Sequence, residues 1–140
     1  MAGSRRLARR SAVQALYQWE LTGQAAPDIE ASLPKDDSFN RADQEYFRAL
    51  VAGVTAQCKK LDAQLAPHLQ RDAKLIDPTT RAILRLAAYE LSARPEVPTV
   101  TVINEAVELS KLFGEDKGFQ FVNGVLDELG RGVRGGGGAD

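Results

Sequence analysis

Asp-Pro-Thr-Thr-Arg-Ala-Ile-Leu-Arg-Leu-Ala-Ala-Tyr-Glu-Leu, residues 77–91, opens with a helix start signal. Asp77 offers a capping carboxylate, and Pro78 takes the first helical position, where a missing N–H costs nothing. Behind them Ile83, Leu84, Leu86, Ala87, Ala88 and Leu91 make the segment apolar around much of its circumference. A helix of that kind has to be surrounded, so these residues predict a central, well-buried helix in a bundle.

Downstream, Pro95 and Pro98 bracket a short extended link. Val100-Thr101-Val102 has strand propensity, but no other segment offers a pairing strand, so the next helix starts there. It turns Ile103, Ala106, Val107, Leu109 and Leu112 inward, and Gly114 stands where a C-terminal cap belongs. A last helix carries Phe119, Phe121, Val122, Val125, Leu126 and Leu129. Gly124 inside it costs roughly 1 kcal/mol relative to alanine, a cost attributed to close approach of a neighbouring helix. Residues 131–140, with Gly135 to Gly138 in a row, read as a disordered tail.

Upstream, a helix from Arg5 to Leu21 sets Ala8, Ala12, Ala15, Leu16 and Trp19 on one face, and Gly23 and Pro27 end it. Acids and prolines over residues 24–40 read as a loop with a short helix at Asp28–Leu33. Asn40 is the expected cap of a long helix whose stripe runs Tyr46, Phe47, Leu50, Val51, Val54, Cys58, Leu61 and Leu65 until Pro67 stops it. The sum is an all-α bundle of six or seven helices forming one domain over residues 1–130.

The 140 residues suit one domain, with 44% hydrophobic and 26% charged residues. No apolar run of about 18 residues exists to span a membrane. The first arginines have no apolar stretch behind them, so no secretory signal is read and the expected location is cytoplasmic. One cysteine, Cys58, and one histidine, His68, exclude an internal disulfide and a Cys/His zinc site. Phosphate-cradling glycine loops and the nucleophile elbow are absent. Cys58 reads as a small hydrophobe and His68 as a capping or solvated side chain. Carboxylates fall mostly on polar faces with no recognisable pair. The reading is therefore of a non-catalytic protein without a cofactor or metal.

The net charge is only −1, but it is unevenly spread. Residues 1–19 carry Arg5, Arg6, Arg9 and Arg10 and no acid, whereas residues 27–45 balance at −4. Arg6, Arg10, Val13 and Tyr17 fall within about one sixth of a helical turn, with Arg5 and Arg9 on the flank. Arginines suit phosphates, and an aromatic among them suits an unstacked base of a single-stranded nucleic acid. Phe119 and Phe121, beside Lys117, point to different faces, so one belongs to the core and the other to the surface. Ordinary packing is the competing explanation for Tyr17 and Phe121.

Five stretches then carry a resemblance. Arg-Arg-Ser-Ala-Val-Gln-Ala-Leu-Tyr-Gln-Trp-Glu (9–20), Asp-Gln-Glu-Tyr-Phe-Arg-Ala-Leu-Val-Ala-Gly-Val (43–54) and Arg-Ala-Ile-Leu-Arg-Leu-Ala-Ala-Tyr-Glu-Leu (81–91) are three. Ile-Asn-Glu-Ala-Val-Glu-Leu-Ser-Lys (103–111) and Phe-Val-Asn-Gly-Val-Leu-Asp (121–127) are the others. In this order, across residues 5–129, they resemble the NusB transcription antitermination family. The resemblance implies two helical subbundles of about seven helices. It also implies binding of boxA-type nascent RNA together with the small-subunit ribosomal protein that doubles as NusE. The assembly would help RNA polymerase read through terminators, chiefly in ribosomal RNA operons. The implied RNA contacts are Arg5, Arg6, Arg9 and Tyr17, then Lys117, Gln120 and Phe121, beside the Arg10 read from the helical wheel. Asn104, Glu105 and Asn123 are expected to be buried and hydrogen bonded. Two alternatives stay open: a homodimeric helical adaptor that covers the arginine-rich helix, and an RNA-recognition fragment of a ribosomal RNA methyltransferase.

Overall fold

The computed structural model describes residues 3–114 and 117–135. Among them stand eight α-helices and one short 3-10 turn: α1 (Arg5–Thr22), α2 (Ala26–Ser32), α3 (Asp37–Arg41), α4 (Gln44–Ala56), α5 (Cys58–Leu69), the turn Ala73–Leu75, α6 (Pro78–Ala93), α7 (Thr99–Phe113) and α8 (Gly118–Arg134). The only β pairing among the described residues is a single bridge between Ser4 and Ala42, which fastens the start of α1 beside the α3–α4 link.

Packing divides the helices into two groups. α1 packs on α2, α3 and α4, while α5 to α8 pack on one another. The contact of α1 with α6 joins the groups, and one continuous apolar core runs through both. α6 is the central helix that residues 77–91 predicted, with Ile83, Leu84, Leu86, Ala88 and Leu91 fully enclosed. Its cap is as expected: the Asp77 carboxylate accepts from the Thr80 N–H at 3.0 Å and from the Thr80 hydroxyl at 2.8 Å. Gly23, left-handed at φ 72°, ends α1 by donating to the Trp19 carbonyl.

Several expectations are corrected. The long stripe from Tyr46 to Leu65 is two helices that break at Gln57, where no glycine or proline marks it. Its first half packs on α1 and α6 and its second on α6 and α8, so α1 is exchanged for α8 at the break. Pro67 lies inside the last turn of α5, which runs on to Leu69 and ends at left-handed Gln70. So near a helix end the one hydrogen bond that proline forfeits is tolerated. Asn40 caps nothing, because α3 intervenes: Asp36 caps α3 and Asp43 caps α4.

Gly124 is exposed with open space around it, so no neighbouring helix approaches there. The close approach is at Gly53, where a Cβ would overlap the Tyr89 ring. Asn104 and Asn123 are exposed, because both lie on outer helix faces. Residues 131–134, expected in the tail, are the last turn of α8. There Arg134 donates to the carbonyls of Leu91 and Val97 at 3.1 and 2.6 Å. The remainder of the expected tail, residues 136–140, lies outside the described residues. No helix among the described residues is long and apolar enough to cross a membrane.

Candidate nucleic-acid interface

The arginines that open α1 stand against acids from α6, α7 and the α6–α7 link. Arg9 is 5% exposed, and its guanidinium grips Glu90, itself 1% exposed, through Nε and Nη2 at 2.9 Å each. The Tyr46 hydroxyl donates to the same carboxylate at 2.5 Å. Burial and this hydrogen bond push the Tyr46 phenol up to about 12. Burial is the largest single influence and works against the Arg9 charge, but the hydrogen bond and charge of Glu90, with Tyr46 and Glu105, together more than offset it and the guanidinium is held charged. Arg9 thus ties α1 to the central helix, and no face of it is presented to a ligand. The expectation of a phosphate contact from Arg9 is corrected on that ground. Glu90 is likewise a buried carboxylate that the reading of acids on polar faces missed.

Around Arg9 the other arginines fan outward. Arg5 stacks on the Tyr46 ring at 4.1 Å and reaches Glu96 at 3.6 Å. The Arg6 side chain is 75% exposed and paired with Glu105, Nη2 to Oε2 at 2.8 Å. Glu105 is hydrogen bonded and mostly enclosed, as expected, and also reaches Arg9 Nη1 at 3.4 Å. Arg10 makes no ion pair or hydrogen bond among the described residues. It lies between two recesses. One, of about 180 Å³, is lined by Arg6, Leu7, Glu105, Glu108, Leu109 and Leu112. The other is walled by Leu33, Pro34 and Phe39. Val13 is buried, so the basic stripe is interrupted before Tyr17, which is 40% exposed further along α1.

A second cluster forms where α8 begins. Lys117, left-handed at φ 65°, and Gly118 line a groove of about 290 Å³ with Arg71, Leu75, Ile76, Asp77, Thr80 and Phe121. Phe121 is half-buried with one ring face under the Arg71 guanidinium at 4.5 Å. Phe119 is half-buried too, with Lys111 at 5.0 Å, so neither ring is core and neither is fully free. Gln120 is exposed. Arg71 went unnoticed in the sequence; only the fold carries it across to Phe121. α7 links the clusters, since Leu109 and Leu112 line the first recess and its C-terminal end leads towards Lys117.

Other polar groups serve the scaffold. Arg81 and Arg85 share Glu20 at 2.6 and 2.8 Å, and Arg85 also grips Asp62 at 2.8 Å. Cys58 is half-buried near Asp62, and burial pushes its thiol up, away from thiolate chemistry. His68 lies half-buried at 3.7 Å from Glu128. Among the described residues no group of three or more His, Cys, Asp or Glu is arranged to hold a metal.

Comparison with known proteins bears on these surfaces. The family model for the NusB family matches residues 6–131. The transcription antitermination protein NusB of Alcanivorax borkumensis is 50% identical over 131 residues, covering 94% of this chain and 87% of the relative. Its counterpart from Shewanella oneidensis is 48% identical over 125 residues, 89% of this chain and 93% of the relative. Among solved structures, T. maritima NusB superimposes with a TM-score of 0.82 at 28% identity, covering 94% of this chain and 93% of that one. The chain is also similar to one in the crystal structure of antitermination factors NusB and NusE in complex with double-stranded RNA. There the TM-score is 0.76 at 26% identity, covering 91% of this chain and 96% of that chain.

Proposed function

The chain belongs to the NusB family, and from that premise we propose that it is a transcription antitermination factor that binds boxA-type RNA together with NusE, as part of an RNA polymerase antitermination complex. The observation that carries this reading is the family match, which runs from α1 to α8 and so includes both clusters apart from Arg5. The protein acts by binding and performs no catalysis.

The binding surface is read as follows. Arg6 and Arg10 supply charge at the start of α1, with Arg5 on its flank. Lys117 and Gln120 supply charge and hydrogen bonds at the start of α8. Phe121 and the exposed Tyr17 offer ring faces to bases. Ring faces take unstacked bases, which favours a single strand over a duplex. With most of the arginine charge offset by acids, binding of RNA alone is modest and gains from NusE.

The test is fluorescence anisotropy of a labelled boxA-type RNA, single-stranded and as a duplex, with and without NusE. The single strand is expected to bind more tightly than the duplex and than a scrambled strand, and NusE to tighten it further. Equal binding to the boxA-type and scrambled strands with NusE present contradicts the proposal.

A further inference from the structure

The fold leaves less free charge on α1 than its four arginines suggest. Arg9 is consumed by Glu90, Arg5 shares Glu96 with the nearer Arg94, and Arg6 is held by Glu105. Of these pairs, the Arg6–Glu105 pair alone combines a highly exposed guanidinium with a mostly enclosed carboxylate, 75% against 12%. The carboxylate meets the guanidinium edge on: Nε lies 3.2 Å from both oxygens, and Nη2 lies 2.8 Å from Oε2. A phosphate presents two oxygens to an arginine in the same forked manner.

We infer that Glu105 occupies on Arg6 the place an RNA phosphate takes, so that RNA loads by exchanging phosphate for carboxylate and Glu105 sets the affinity of this rim. The inference rests on the RNA reading proposed above and adds to it a residue that lowers affinity rather than raising it. Two features make the exchange feasible. Glu105 has a second partner already in place, because Arg9 Nη1 stands 3.4 Å from its Oε1, so release from Arg6 does not strand the carboxylate. Arg9 in turn keeps Glu90 and needs nothing from Glu105 to stay compensated. Arg6, Arg9, Glu90 and Glu105 together carry no net charge. A neutral cluster draws a polyanion weakly, and removing one acid from it leaves a positive site.

The experiment uses the full chain with Glu105→Gln, which keeps the shape of the side chain and removes its charge. Binding of a short boxA-type RNA is measured across a salt series beside wild type, Glu108→Gln, Arg6→Ala and the Arg6→Ala/Glu105→Gln double variant. Glu108 lines the same recess but pairs with Lys111, so it controls for a general change in charge. Glu105→Gln is expected to bind about threefold to fivefold more tightly, the scale of an exposed ion pair. Its slope of log K against log salt is expected to steepen by about 0.7, because the cluster then meets the single strand with one net positive charge more. Glu108→Gln is expected to change affinity less than about twofold, because Glu108 acts on Arg6 only through space, as an exposed charge with no hydrogen bond to it. The gain is expected to vanish without Arg6. Unchanged or weaker binding by Glu105→Gln overturns the inference, as does an equal gain from Glu108→Gln or a gain that survives Arg6→Ala. A wild type that binds no RNA even with NusE present overturns the parent reading, and this inference with it. In the wild-type protein, NMR coupling between the Arg6 Nε–H and the Glu105 carboxylate is expected to disappear at saturating RNA, and its persistence overturns the exchange without recourse to any variant.

Discussion

Glu90 shows what a single residue contributes here and why it was hard to see. It sits in a helix read as apolar around most of its circumference, and its partner Arg9 lies 81 residues away in the chain. Nothing local pairs the two, so the sequence alone sets Arg9 among the candidate RNA-binding arginines. Removing one side of a buried ion pair strands the other, a cost of about 3 kcal/mol or more. Glu90→Gln is therefore expected to lower stability by about that amount in urea unfolding, through Arg9 and Tyr46 together. Phe121 makes the opposite case. It is half-buried with one ring face under Arg71. Phe121→Ala is expected to weaken RNA binding by about 1–3 kcal/mol, the worth of one stacked base, while its melting temperature falls little. A steep fall in melting temperature with normal RNA binding by the folded fraction would assign the ring to the core.

At the scale of elements, caps were legible and breaks without a breaker residue were not. Asp77-Pro78 announces α6 in the chain and does so in the fold. Asp77→Ala is expected to cost about 1 kcal/mol, the value of a lost cap. The α4–α5 break at Gln57 carries no such mark, because it is set by which helices the two halves pack against. Glycines make the same point. Gly53→Ala is expected to destabilise by about 1–3 kcal/mol through overlap with Tyr89. Gly124→Ala, in open space on a helix, is expected to stabilise by up to about 1 kcal/mol; calorimetric melting of the two separates them by sign.

Glu20 links α1 to α6 through Arg81 and Arg85. The Arg81 hydrogen bond, and the charges of both arginines, hold its carboxyl below the ordinary value of 4.5 in spite of partial burial. On acidification the unfolded chain therefore takes up this proton first. The stability that Glu20 contributes is complete above about pH 4.5 and drains as the pH falls through the lower folded value. Glu20→Gln is expected to lower stability at pH 7 and to flatten its loss over that acid range, measured by urea unfolding at a series of pH values.

For the whole molecule, the all-helical class and the central helix followed from periodicity, and the family followed from five stretches spread over nearly the full chain. The division into two groups joined by α1 and α6 was expected from the resemblance alone. Candidate contact residues could be named from the sequence, but their electrostatics could not. A run of four arginines reads as a strong cationic stripe, yet acids from α6, α7 and their link meet three of them. On the proposed function, so small a free charge on α1 makes joint binding with a partner the expected source of RNA affinity. If NusE and RNA help each other onto this chain, each must do so by the same factor. The decisive measurement is a calorimetric cycle: the Kd of a boxA-type RNA with and without NusE, and the Kd of NusE with and without that RNA. The account predicts that both tighten, and by equal factors. Binding of the two ligands that is strictly independent, or failure of the RNA to bind even with NusE present, would contradict it.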